Sequence, residues 1–221
     1  MDELLTYSLR DFLLFSQESY LYMLAQYNQQ LWPGHILATL LGVFCLWLCL
    51  QGIYTRVLAY SLAGAYFSVA YWFFYQTYMQ INWFIEYVVY AFALQGLLLM
   101  LLPAVKQKSN HQGSVLAKLM AFYLGLILFV YPLLAFIAYD NILLAESFAL
   151  MPDPTALLSL ALMPLLSCKF NYSLLPLPIL WLSYATMTAY SLQQPLWFVS
   201  PALALCILGS QVAVRLIESR R

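Results

Sequence analysis

Apolar positions along this chain gather into seven runs, 33–50, 56–75, 81–102, 119–139, 155–168, 174–192 and 196–217, separated by short polar breaks. A bilayer core of about 30 Å takes roughly twenty residues of helix to cross, and backbone amides cannot be left unpaired in hydrocarbon. The runs therefore predict membrane-crossing helices. The fifth is short, but starting it at Pro152, a residue type suited to a first helical turn, lengthens it to the lower limit for a span, about seventeen residues. The first run has a sharp border, because QYNQQ gives way to Trp32-Pro33-Gly34-His35 and then to almost unbroken apolar sequence. Trp32 reads as an interfacial anchor and Pro33 as a residue of the first turn, which places His35 near that interface. Upstream, Leu5, Leu13, Phe15, Tyr20, Leu24 and Tyr27 recur among polar residues. They predict an amphipathic helix that lies along the membrane surface or covers the end of the bundle. The stretch lacks the basic start, compact apolar core and small-residue site of a cleaved signal peptide. The expected organisation is thus all-α: an extracytoplasmic amphipathic segment at 1–31 and a seven-helix transmembrane domain at 32–221.

Composition makes lipid the solvent. Of 221 residues, 64% are hydrophobic and 8% charged, whereas a water-soluble domain carries about a quarter charged residues. Net charge is zero, so nothing in the overall balance points to nucleic acid. Basic residues collect in cytoplasmic loops. Seven spans with the amino terminus outside put Arg56, Lys106, Lys108, Lys118, Lys169, Arg215, Arg220 and Arg221 inside, leaving only Arg10 outside. The same arrangement sets Asp2, Glu3, Asp11, Glu18, Asp140, Glu146 and Asp153 outside and the carboxyl terminus inside. A six-span chain would put Arg215, Arg220 and Arg221 on the face opposite Lys106 and Lys108, and is disfavoured.

Glu86 is then the one acidic residue within a span, where an ionisable group is costly enough to mark a candidate site. It lies about five residues from its helix start, roughly 7 Å along the axis at 1.5 Å per residue. Asn28, His35, Tyr78 and Asn82 share its depth, and together they outline an outward-facing polar pocket for a cation or proton, with His35 able to pair with Glu86. The bland alternative is a Glu86 reaching the interface or bonded to neighbouring Tyr and Trp, and a solvated His35. Cys45 and Cys49 share a helix face, but metal sites recruit further ligands, so no metal is expected and buried thiols are the plainer reading. His35 and His111 fall at opposite interfaces, which excludes a bis-histidine haem. A retinal lysine, a phosphate loop and a hydrolase elbow are all lacking. No cofactor is expected.

Several landmarks in order, AQYNQQLWPGH (25–35), INWFIEYVVYAFALQGLLL (81–99), VYPLLA (130–135), PDPTALLSLAL (152–162) and LPILWLSYATMTA (177–189), resemble the bacterial membrane-protein family known as the domain of unknown function numbered 6064. The chain departs from that pattern at Pro152-Asp153-Pro154-Thr155, where the family tends to have Pro-Cys-Pro-Thr, and at Tyr71-Trp72, where it tends to have Tyr-His. The resemblance implies a polytopic protein of the bacterial cytoplasmic (inner) membrane and carries no established activity, although relatives are sometimes labelled permeases. Two readings follow. One is a small-solute transporter, and the other is an accessory or scaffolding subunit that holds another membrane protein or a second copy of itself. A membrane enzyme is less favoured, since no catalytic cluster is visible.

Overall fold

The computed structural model describes residues 14–51, 56–101, 115–166 and 171–219. Leu5, Leu13, Arg10, the Lys106–Lys108 connection, His111, Cys168, Lys169, Arg220 and Arg221 lie outside the described residues. Among the described residues all regular structure is helical, and a helix falls on each of the seven apolar runs.

Helix α1 (Gln17–Gln30) is capped by Ser16, whose side chain accepts from the Ser19 amide at 3.2 Å, the usual way to satisfy an orphan donor at a helix start. The chain then turns through 85° into α2 (Gly34–Leu50). Trp32–Pro33 is a cis peptide, and α2 begins at Gly34, so Pro33 caps the helix from just outside it. Of the residues expected to make α1 amphipathic, Leu24 and Tyr27 are buried, together with Met23 and Asn28. The helix therefore covers the bundle end with its apolar face turned to protein.

Helix α3 (Arg56–Ser68) runs on through π-helical turns at Val69–Tyr75, and α4 (Ile85–Leu101) packs along it. Helix α5 (Val115–Gly125) likewise passes into π-helical turns at Leu126–Val130, a 3₁₀ turn at Tyr131–Leu133 and then α6 (Leu134–Tyr139). The change of pitch comes where Pro132 has no N–H to give to the ladder. Helices α7 (Pro152–Leu162), α8 (Pro176–Ser191) and α9 (Val199–Ser219) complete the bundle.

Helix α7 is the axis of the molecule. It touches α3, α5, α8 and α9, and every residue from Pro152 to Leu162 except Asp153 is buried. A helix apolar all round belongs inside protein, and eleven residues span only about 16 Å at 1.5 Å each. Taken alone it is shorter than a full crossing, and it runs on into a 3₁₀ turn at Met163–Leu165. Helices Arg56–Gln80, Val115–Tyr139 and Val199–Ser219 are long and apolar enough to cross, and the bent pair α1–α2 would make a fourth if taken as one span. The outer faces carry exposed Leu37, Phe44, Trp47, Leu94, Leu205 and Leu216, a surface that suits hydrocarbon better than water.

Polar side chains tie the interior together, as expected where burial in lipid gives helices little drive to associate. Ser159 Oγ donates to the Ala156 carbonyl at 2.7 Å, so the buried Tyr66 hydroxyl, 2.9 Å away, is the donor to Ser159 and joins α3 to α7. Gln95 on α4 donates to the Leu174 carbonyl and Gln211 on α9 to the Leu160 carbonyl, each at 2.8 Å. Cys45 and Cys49 are buried free thiols on one face of α2, as their spacing predicts.

Candidate functional site

Where α1, the segment Tyr131–Tyr139, the connection 140–151, the start of α7, α8 and the start of α9 meet, the bundle forms a partly open cavity of about 80 Å³. Two carboxyl groups face it, Glu146 from the connection and Asp153 from the first turn of α7. That first turn is stapled by Thr155, whose hydroxyl donates to the Met151 carbonyl at 2.6 Å and accepts from the Ala149 amide at 3.0 Å. A helix start favours negative charge, and Asp153 has two further donors. Trp181 Nε1 donates to Oδ1 at 2.8 Å and Ser200 Oγ donates to Oδ2 at 3.1 Å.

Counting hydrogens separates the two acids. Ser200 has one hydroxyl hydrogen, which goes to Asp153, so its 2.7 Å contact with Tyr131 uses the Tyr131 hydrogen. Tyr131 lies 3.4 Å from Glu146 Oε2, and at that length it lends the same hydrogen only weakly. Asp153 thus has two committed donors, which offset part of the upward push that burial gives its carboxyl, whereas Glu146 depends on a shared one. Burial, and then the Asp153 charge, hold the Glu146 carboxyl well above the usual carboxylate range. Both groups sit deep in the protein and yet are partly accessible, because the surface they touch is that of the cavity. A smaller hollow of about 30 Å³, lined also by Tyr78 and Tyr184, shares Tyr20, Glu146 and Asp153. No Lys, Arg or His lines either space among the described residues.

A carboxyl whose folded pKa is raised stabilises the fold fully below its unfolded value, about 4.3, and that contribution is lost as pH rises through the folded value. Unfolding of the wild-type protein in a denaturing detergent is therefore expected to grow easier from pH 5 to pH 9. Glu146→Gln, which keeps the neutral shape, is expected to flatten that decline, as midpoints measured across the range would show.

The five residues expected to form a site fall into three places. Asn28 and His35 do meet. The Asn28 amide nitrogen donates to the carbonyls of Leu143 at 2.7 Å and Ala145 at 3.0 Å, which turns its oxygen toward His35 Nε2 at 2.9 Å. His35 accordingly carries its proton on Nε2, and its buried Nδ1 has no hydrogen-bond partner among the described residues. Asn82 donates to the Tyr184 hydroxyl at 3.1 Å and accepts from the Phe84 amide, while Tyr78 lines the smaller hollow beside the two acids. Glu86 is elsewhere. It is exposed on α4, where Tyr90, one turn on, donates to it at 3.3 Å, and it lines neither space. In place of a Glu86–His35 pair the structure has His35 on Asn28. The reason is rotational: depth along a helix says nothing about which side of it a residue faces.

The acids that line the cavity are Glu146 and Asp153, and Glu86 is not among them. Counted for topology, they pass as loop acids. Their signal is local, since LLAESFALMPDPT sets two acids in an otherwise apolar stretch with no basic residue near. Asn28 and Tyr27 hold that stretch in position, because the Tyr27 hydroxyl donates to the Leu150 carbonyl at 2.7 Å. Asn28→Ala leaves two carbonyls and the His35 N–H without their partner. It is expected to destabilise by about 1–3 kcal/mol and to speed amide exchange across 141–147, which hydrogen-exchange mass spectrometry would register.

An all-helical protein with an apolar outer surface and an acidic, aromatic cavity near one end is a membrane-type bundle. This chain belongs to the family of unknown function DUF6064, whose model matches residues 17–216. No curated protein and no solved structure matches it.

Proposed function

We propose that the chain is a small-solute transporter of the bacterial cytoplasmic membrane, with its amino terminus outside, its carboxyl terminus inside, and its solute pocket at Glu146 and Asp153. One observation carries this reading: two carboxyl groups inside the protein share a cavity that no basic side chain lines among the described residues. Burying charge without a partner is costly, and a structural role alone would be served better by apolar packing. A proton or a cationic solute relieves that cost. The connection that bears Glu146 lies on the outer side in the proposed topology, so the pocket opens outward, and α7 with its helix-breaking prolines stands below it as the central element of a solute path.

The test is flux in vesicles containing the purified protein. Under an imposed proton gradient, wild-type vesicles are expected to take up protons or a labelled solute above the level of empty vesicles, and Glu146→Gln to lower that flux at least tenfold while remaining folded. Flux unchanged by Glu146→Gln would overturn the pocket. Wild-type vesicles that carry nothing, together with a membrane protein that copurifies stoichiometrically, would return the chain to the accessory-subunit reading.

A further inference from the structure

We propose that the ligand of the Glu146–Asp153 cavity is a small organic ammonium ion, which binds by displacing the proton of Glu146. This rests on the pocket assigned above and names its ligand class.

Three features of the cavity point the same way. Its lining is acidic without a basic counterpart, since Glu146 and Asp153 both face it, Asp153 has donors from Trp181 and Ser200 that favour its charged form, and no Lys, Arg or His lines it among the described residues. Its walls include the aromatic side chains of Tyr20, Tyr131, Tyr139 and Trp197, and aromatic faces attract cations, organic ammonium ions above all. Its volume, about 80 Å³, exceeds the 10–15 Å³ or so that one water needs, and leaves room for an ion of a few heavy atoms. A hard metal ion fits poorly: calcium takes about six to eight oxygens, and among the described residues no three His, Cys, Asp or Glu side chains come together.

The exchange balances. Glu146–COOH and R–NH₃⁺ give the ion pair Glu146–COO⁻ and R–NH₃⁺ with one proton released to solvent. The titratable groups facing Glu146 among the described residues are Asp153 on α7, Tyr20 on α1, Tyr131 and Tyr139 on the α5–α6 rod, and, across the smaller hollow, Tyr78 and Tyr184. Tyrosine hydroxyls ordinarily ionise only near pH 10, so among these groups Asp153 alone can add charge at neutral pH. Binding should therefore strengthen as pH rises.

Ethylammonium is the probe, titrated calorimetrically into the full chain in detergent, with proton release read in weak buffer. The expected result is saturable binding with about one proton released per ion, tightening at least tenfold from pH 6 to pH 8 and insensitive to equal sodium or potassium. Glu146→Gln should abolish the proton release, and Asp153→Asn should weaken binding at least tenfold. Absent binding by the folded wild-type protein, equal binding of sodium or potassium, or undiminished binding by folded Asp153→Asn would each overturn the proposal. Binding without vesicle flux would unseat the transport reading and leave the site standing, and flux of another solute without ethylammonium binding would do the reverse.

Discussion

Asp153→Asn is expected to abolish vesicle flux and to lower stability by about 2–3 kcal/mol, the scale of one buried hydrogen bond to a charged group. Both carboxylate oxygens accept, from Trp181 Nε1 at 2.8 Å and from Ser200 Oγ at 3.1 Å. An asparagine offers one oxygen and one N–H₂. Whichever way it turns, a donor meets a donor, and either the Trp181 indole or the Ser200 hydroxyl loses its acceptor. Ser200 can rotate its hydrogen elsewhere, for example onto Tyr131. Trp181 cannot, since the indole N–H is fixed in its ring. The amide should thus turn its oxygen to Trp181 and its nitrogen to Ser200, with Trp181 fluorescence little changed. Loss of flux with retained Trp181 environment would mark the charge of Asp153, as distinct from its packing, as what the pocket requires. Retained flux in the same variant would remove Asp153 from the solute path.

Both acids illustrate what a sequence discloses and what it withholds. Among the described residues, apolar runs and proline positions place α2 to α9, because in lipid the backbone has few other ways to satisfy itself, while α1 shows only as a loose amphipathic pattern. They do not tell a lipid-facing helix from a protein-enclosed one, since both are apolar all round. That is why α7, buried at almost every position from Pro152 to Leu162, reads from sequence like any other span. Its short length was the available clue. Depth was legible as well: Asn28 and His35 share a level and indeed touch, and Tyr78 reaches the hollow beside the acids. Rotation about the helix axis was not. Glu86 looked buried because it lies in an apolar run, and it faces outward; Glu146 looked solvated because it lies in a connection, and α1 folds back over it. The 85° turn at Trp32–Pro33 brings Tyr20 and Leu24 over that connection, and this long-range placement has no local signature in the chain.

Phe92→Ala is expected to cost about 3–5 kcal/mol, the range for removing a large aromatic side chain from a close-packed core. Phe92 on α4 is wholly buried. Its ring centroid lies 4.7 Å from that of Phe74, 5.1 Å from Tyr66 and 5.6 Å from Trp181. Phe74 in turn packs edge-on against Trp181 at 4.8 Å. The hole left by alanine opens between α3, α4 and α8, where rigid rings collapse poorly, so the cost should sit high in that range. Its effect should not stop at stability. Trp181 holds Asp153 through its indole N–H, and its ring is braced by Phe74 and Phe92, so loosening the brace loosens a donor to the pocket. A double-mutant cycle between Phe92→Ala and Asp153→Asn, measured by unfolding in mixed detergent, should therefore show a coupling of about 0.5–3 kcal/mol, as for residues that share a partner. Phe92→Leu, which keeps most of the volume, should recover the larger part of the stability. Strict additivity in the cycle would mean that the aromatic cluster and the acidic cavity are energetically separate, and that Trp181 is fixed by its other neighbours alone.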